Sequence, residues 1–388
     1  VATNGIKDRT AIVGIGQTTF GKGLPQSELG LACGAISNAL DDCGIAPSEV
    51  DGMGSYTLEA NSEVDVARSV GLGDIRWFSQ IGYGGGAGCG VILQAAMAVA
   101  TGQADVVVAW RARKRASAAS RPWAQVEARV DGHGQFTRTF GLLRPVDEIG
   151  MLTRRYMHEY GATRDHLANV AIAARKHANR NPNAMMYQRT LSREEYMNAR
   201  WISEPLCLFD NCLETDGALA VVIVSAERAK DLPHTPAYIH SGAQSIPQEH
   251  ETMTNFYTGD PLRGPAWECA NALWSKSDVK PADVKVAQLY DAFSPLILLS
   301  LEGYGFCARG EAGPFTDNGN IELGGQLPVN TSGAGMSEAY VHGFNLITEG
   351  VRQMRGTSTS QVEGADNCLV TSGEGVPTSA ILLTNAVQ

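Results

Sequence analysis

Eight cysteines, at positions 33, 43, 89, 207, 212, 269, 307 and 368, are the strongest latent nucleophiles of this 388-residue chain. They form no Cys-x-x-Cys pair, and Cys207 with Cys212 lacks a second ligand pair at metal spacing, so no metal site is expected. Reduced thiols in a cytoplasmic protein are the reading that follows. Gly84, Gly85 and Gly86 form a tight turn that lets backbone approach a ligand, but no Gly-Lys-[Ser/Thr] follows, so it is not a phosphate loop. Arg111, Arg113, Lys114 and Arg115 are the densest basic run and fit either ligand phosphates or a solvated face. Tyr290 precedes Asp291, and Tyr340 stands two residues before His342. A phenol can exchange a proton, although its ordinary pKa of about 10 makes it a weak base at neutral pH unless neighbours lower it. On residue type alone, a structural role suits either tyrosine equally well.

The elements around these residues repeat. Leu31–Leu40 reads as a helix, followed by CGIAPSEVDGMGSY; far downstream, Trp267–Trp274 reads as a helix, followed by SDVKPADVKVAQLYDAF. In both, a Pro-x-[Glu/Asp]-Val turn leads into a short β-rich strand, with Pro47 and Pro281 unable to continue the helix. A second pair follows in the same order. GYGGGAGCGVILQAAMAVATGQADVVVA is a glycine turn, an alanine-rich helix and a strand; NTSGAGMSEAYVHGFNLITEGVRQMRG is a small-residue turn opening a helix that carries Tyr340. The halves end in the strands that open Gly217–Leu232 and span Val376–Asn385. Strands alternating with helices imply an α/β fold with covered sheets. Residues 116–200 break the pattern, with helices expected over Val146–Tyr160 and Arg164–Asn179, and read as an inserted loop domain over the first half. The expected organisation is therefore 1–115 and 201–232 for the first half, 116–200 for the insert, and 233–388 for the second half.

The chain is 44% hydrophobic and 19% charged, ordinary for a globular protein, with a formal charge of −10 that disfavours nucleic acid and anionic membranes. Val1–Thr10 is polar and does not read as a signal peptide. The longest apolar run, Val91–Ala100, falls short of the ~20 residues of a membrane span and reads as a core helix.

Taken together, GGGAGCGVILQAAMAVATG, LYDAF, NTSGAG–AYVHG and TSGEG resemble the thiolase superfamily over nearly the whole chain. The similarity is greatest to the lipid-transfer-protein branch related to the thiolase domain of sterol carrier protein X. It implies two βαβαβαββ halves in five αβαβα layers. Two thiolase cysteines are replaced: the nucleophile position is Gly85, with Cys89 four residues late, and the second thiol position is Thr371, with Cys368 three residues early. The histidine of the Gly-His-Pro motif falls at Tyr340, and the Asn or His of the Asn-Glu-Ala-Phe or His-Asp-Ala-Phe motif at Tyr290. Without thiols, acyl transfer is lost, while a CoA-binding cradle can remain.

This pattern is similar to the thiolase-like aldolases of actinobacterial steroid side-chain degradation. The resemblance implies retro-aldol cleavage of a 17-hydroxy steroid bearing a three-carbon acyl-CoA side chain, giving a 17-keto steroid and propionyl-CoA. It implies Tyr290 and Tyr340 as catalytic groups and the N–H groups of Gly85 and Gly373 as an oxyanion hole. His342 and Asp291 would tune or orient a tyrosine, and Asn330 would shape the pocket floor. CoA would enter as part of the substrate, with no separate cofactor. A small OB-fold, zinc-ribbon acyl-CoA-binding protein is the implied partner, in a heterotetramer built on a homodimer. A non-catalytic acyl-CoA- or lipid-binding subunit and a thiolase acyltransferase using Cys89 are the competing readings.

Overall fold

The computed structural model describes residues 5–57, 59–115, 132, 134–249, 253, 258–375 and 377–387. Its strands are β1 (Thr10–Gln17), β2 (Gly52–Tyr56), β3 (Trp77–Ile81), β4 (Val106–Arg113), β5 (Trp201–Ser203), β6 (Leu206–Cys207), β7 (Gly217–Ser225), β8 (Ala237–Ser245), β9 (Val286–Gln288), β10 (Asn367–Ser372) and β11 (Thr378–Thr384). Nine of them form one mixed sheet in the order β3-β2-β4-β7-β1-β8-β11-β10-β9, and β5 pairs with β6 apart from it.

The duplication is visible in that order. From the centre outward the first half runs β1, β7, β4, β2, β3, and the second runs β8, β11, β10, β9. The counterpart of β3 is reduced to one parallel bridge, Val329 beside Ala287. The halves join where β1 meets β8 at Ala11–Tyr238 and Ile12–Ala237.

Helices form where sequence supplies ends. The Glu28–Cys43 helix starts at Ser27, whose side chain accepts the Gly30 N–H, and stops at left-handed Gly44. It packs on β1, β7 and β4, whereas the Ala266–Trp274 helix packs on β8 and β11. Between these outer layers, the Gly88–Ala100 and Phe344–Arg355 helices each touch strands of both halves. That central position explains why Gly88–Ala100 is apolar on nearly every face. Its first turn has no local side-chain cap. Instead Ser372 Oγ accepts the Cys89 N–H at 2.8 Å and Ser379 Oγ accepts the Gly90 N–H at 2.8 Å. The second half thus caps the buried helix of the first.

The start of the insert, expected at residue 116, lies outside the described residues. Its expected helices are present as Pro145–Tyr160 and Arg164–Ala178. The latter meets the first half at Leu208–Asp210. Its buried face, including Leu167, Val170, Ala171 and Ala174, packs on second-half elements, among them the Ser294–Gly303 helix and the Ala334–Glu338 turn. The apolar spacing gives the helix its buried face, and elements of both halves cover it. Among the described residues, no helix is long and apolar enough to cross a membrane.

Candidate active site

The site forms where the end of β9, the turn before the Phe344–Arg355 helix and the glycine turn before the Gly88–Ala100 helix converge. Tyr290 follows β9 by two residues, and its N–H donates to Thr371 Oγ1 at 3.0 Å. The expected second thiol position therefore holds a hydroxyl that fixes the Tyr290 backbone. Asn330 Oδ1 accepts the neighbouring Leu289 N–H at 2.7 Å. Asn330 thus anchors the strand end behind the tyrosine.

Tyr340 is not helical, contrary to the sequence expectation. Residues Ala334–Glu338 form a wide π-type turn, closed by the Ala339 N–H on the Ala334 carbonyl. Ala339 is extended (φ −168°, ψ 144°), and the α-helix starts only at Phe344, after His342 at φ 58° and Gly343 at φ 83°. Asp291 causes much of this: its carboxylate accepts the Gly335 and Met336 N–H groups at 2.9 and 3.0 Å, diverting them from a regular helix. Burial pushes the Asp291 carboxyl up to about 7, against the pull of those two N–H donors. The insert supports the same turn through Arg175 Nε, which donates to Ser337 Oγ at 3.0 Å. Asp291 and Asn330 hold backbone, and no hydrogen bond joins either side chain to a phenol hydroxyl among the described residues.

The two phenol hydroxyls are hydrogen-bonded to each other, on residues only 4% and 7% exposed. The position of Gly85 explains how they fit. A Cβ built on Gly85 would lie 1.8 Å from Tyr290 Oη, far inside contact distance. The Tyr290 hydroxyl occupies the space a side chain at 85 would enter, so phenol and nucleophilic cysteine cannot coexist there. Burial raises the pKa of both phenols above the usual 10, and either hydroxyl can be the donor in the bond between them.

His342 lies edge-on to Tyr340, with ring centroids 5.8 Å apart, and is stacked on Tyr56 at 5.9 Å. Its Nδ1 is 2.9 Å from Nη2 of Arg111. Burial and the charges of Arg111, Arg115 and Arg113 hold its pKa well below the usual imidazole range. Gly373, at φ 85°, directly follows β10 and the Ser372 that caps the central helix.

The basic run is not a solvated face. Arg111, Arg113 and Arg115 are buried, and only Lys114 reaches outward, to the Gln26 carbonyl. Strand alternation cannot foretell this, because β4 is buried on both faces. Arg111 donates to the Tyr56 carbonyl at 2.7 Å and pairs with buried Glu59 at 3.7 Å, while Arg115 lies over the Tyr340 ring at 5.7 Å. In the sequence this run fits either ligand phosphates or a solvated face, and neither Tyr56 nor Glu59 stands out. The density of the run was the available signal.

The thiols are poor nucleophiles here. Cys89 is buried, hydrogen-bonded to Ser372 Oγ at 3.2 Å, and pushed up to about 12. Cys212 is close enough to affect both phenols, and burial pushes it to about 12 as well. Neither supplies a standing thiolate at neutral pH.

Comparison with known proteins agrees with this geometry. The thiolase N-terminal domain family matches residues 9–227, and the thiolase C-terminal domain-like family matches residues 248–384. The steroid side-chain-cleaving aldolase of Thermomonospora curvata is 48% identical over 382 residues, covering 96% of this chain and 97% of that protein. The 17-hydroxy-3-oxo-4-pregnene-20-carboxyl-CoA lyase of Mycobacterium tuberculosis is 46% identical over 389 residues, covering 97% of this chain and 100% of that protein. The solved Ltp2-ChsH2(DUF35) aldolase superposes with a TM-score of 0.93 at 46% identity, over 98% of both chains. A duplicated cradle whose thiol position is filled by a tyrosine hydroxyl, on a chain so similar to these proteins, belongs to the thiolase superfamily, in the branch that contains the steroid side-chain-cleaving aldolases.

Proposed function

We propose that this protein is a carbon–carbon lyase that cleaves a 17-hydroxy steroid carrying a three-carbon acyl-CoA side chain, releasing a 17-keto steroid and propionyl-CoA. The observation that carries the reading is the buried Tyr290–Tyr340 hydroxyl pair, in which the Tyr290 hydroxyl stands in the space of a missing residue-85 side chain.

The reaction breaks the bond between the hydroxyl-bearing carbon and the carbon α to the thioester. The hydroxyl proton leaves, its oxygen becomes the ketone, and the bonding pair moves onto the thioester as an enolate. A proton then returns to the α carbon. The step is redox-neutral and needs no second substrate, so CoA enters only as part of the substrate. A lone buried phenol is a poor base, and both pKa values are raised. The hydrogen-bonded pair avoids that obstacle. One phenol takes the hydroxyl proton and passes its own across the bond to the other, which gives its proton to the α carbon as the enolate collapses, so both phenols end neutral. Neither phenol has to be ionised at rest. The N–H groups of Gly85 and Gly373 receive the enolate oxygen.

This chain works as a homodimer bound to a small acyl-CoA-binding protein with an OB fold and a zinc ribbon. The reading is supported by the solved aldolase, whose name joins Ltp2 to a DUF35 segment. It is supported too by the outermost strand β3, which carries exposed Phe78 and is followed by exposed Tyr83.

The test is mass spectrometry of the purified protein, with and without the co-expressed partner, on a 17-hydroxy steroid acyl-CoA. Propionyl-CoA and the 17-ketone are expected. Tyr290→Phe and Tyr340→Phe should each lower kcat by about 10²–10⁴-fold, with folding retained. CoA-ester binding without turnover, even with the partner, would favour a non-catalytic subunit.

A further inference from the structure

His342 is the titratable group of the site that the phenol relay leaves without a task, and its surroundings define its proton. The backbone is held at φ 58°, and the His342 carbonyl accepts the Tyr56 hydroxyl at 2.8 Å. The ring lies between Tyr56, at an interplanar angle of 24°, and Tyr340, at 73°. Nδ1 meets Nη2 of Arg111 at 2.9 Å. A guanidinium has donors and no acceptor, so Nδ1 must accept. A neutral imidazole has one N–H, which is therefore on Nε2.

Arg111 is itself fixed by the Tyr56 carbonyl and Glu59. A second proton on the ring would set N–H against N–H, with the charges of Arg113 and Arg115 adding to the repulsion. The other titratable groups beside the ring are the phenols of Tyr56 and Tyr340, and no carboxylate is hydrogen-bonded to it among the described residues. Nε2 faces the glycine turn: a Cβ on Gly84 would lie 3.9 Å from it. The next residue is Gly85, against which the Tyr290 hydroxyl rests.

We propose that Arg111 locks His342 as the neutral Nε2–H tautomer and that this N–H is a side-chain donor to the thioester oxygen, alongside the backbone amides, as the enolate forms. The inference rests on the retro-aldol reading. Its chemical sense is a division of labour. A neutral imidazole N–H is too weak an acid to protonate the enolate, so it stabilises the charge and leaves proton delivery to the phenols. Arg111 is then a positioning residue, acting through His342.

The experiment combines ring-nitrogen NMR of ¹⁵N-histidine-labelled full-length protein, assigned with His342→Gln, and steady-state kinetics. Between pH 5.5 and 8, the expected spectrum shows protonated Nε2, bare Nδ1 and no titration. His342→Phe should lower kcat about 10²–10³-fold with KM little changed, the scale of one lost oxyanion donor. His342→Gln, which keeps an N–H donor, should recover part of that loss. In Arg111→Met the tautomer is freed. Activity lost at pH 8 should partly return near pH 6, where the imidazolium again presents Nε2–H, and Arg111→Lys should behave more like the parent. A proton found on Nδ1, a His342→Phe variant at parental rate, or an Arg111→Met loss equal at all pH values would overturn the proposal. If Arg111→Met does not fold, the parental spectrum and the His342 pair still decide. Failure of the parent to release propionyl-CoA would sink the retro-aldol reading instead, and the tautomer spectrum would still stand as measured.

Discussion

The two halves open their central helices differently. In the first, the Gly84–Ala87 turn runs straight into the Gly88–Ala100 helix. In the second, the Ala334–Glu338 turn is followed by five residues, 339–343, before the Phe344–Arg355 helix begins. That added stretch carries Tyr340 and His342. One copy of the repeat has given up its side chain, and the other has gained two chemical groups and aimed them across the gap. The duplicated frame keeps the backbone positions while the chemistry moves from one half to the other.

The sharpest way to break this comparison is to return a side chain to the first half. Gly85→Ala places a methyl where Tyr290 Oη stands, at 1.8 Å. Tyr290 must swing away, breaking its bond to Tyr340. The expected loss of turnover is about 10³-fold or more, the scale of misplacing a general acid–base group. Circular dichroism should show the fold kept. Combining Gly85→Cys with Tyr290→Asn makes room for the thiol, so the double variant should melt above Gly85→Cys alone. If Gly85→Ala is fully active, the space argument fails.

Much of this frame was legible in the sequence. Proline turns at 47 and 281 and the alternating helices gave the repeat, because capping and periodicity act locally. Motif position rather than periodicity assigns Tyr290 and Tyr340 to one site, and the bond between their hydroxyls, 50 residues apart in sequence, appears only in the structure. The small residues before Tyr340 suit a helix locally, while the Asp291 carboxylate that unwinds the turn is distant in sequence. Arg111 was unreadable for a similar reason. An arginine is ordinarily exposed, and its buried partners Glu59 and His342 lie 52 and 231 residues away.

A second test loosens the longer opening itself. Asp291→Asn replaces one acceptor oxygen with an amide that faces an N–H donor, so the turn should shift and kcat fall about tenfold. The pH dependence carries a sign. In the folded protein the carboxyl is pushed up to about 7 from an ordinary 3.8, so the native state binds this proton more tightly. Its contribution to stability is therefore greatest below about pH 4 and declines as pH rises to about 7. Subtracting the Asp291→Asn melting curve from that of the parent isolates this slope. Equal slopes in both proteins would remove Asp291 as its source.

Thr371 tests the second vacated thiol position. Its hydroxyl accepts the Tyr290 N–H in the core. Thr371→Val leaves that donor unpaired and should cost about 1–3 kcal/mol in denaturant unfolding. Turnover should fall only a few-fold, because the phenol pair remains. A larger loss of turnover than of stability would instead give Thr371 a direct part in proton transfer.

The smallest expected effect belongs to the thiol that most resembles a thiolase nucleophile in sequence. Cys89 lies inside the helix and bonds Ser372, which holds the helix start. Cys89→Ala removes a buried sulfur and leaves the Ser372-to-backbone bond in place. It should lower stability by about 1 kcal/mol and leave propionyl-CoA release within two-fold of the parent. The result separates packing from chemistry, because a nucleophile would lose several orders of magnitude in turnover at the same small cost in stability. A collapse of activity in a well-folded Cys89→Ala protein would return the reaction to the first half and reverse the comparison.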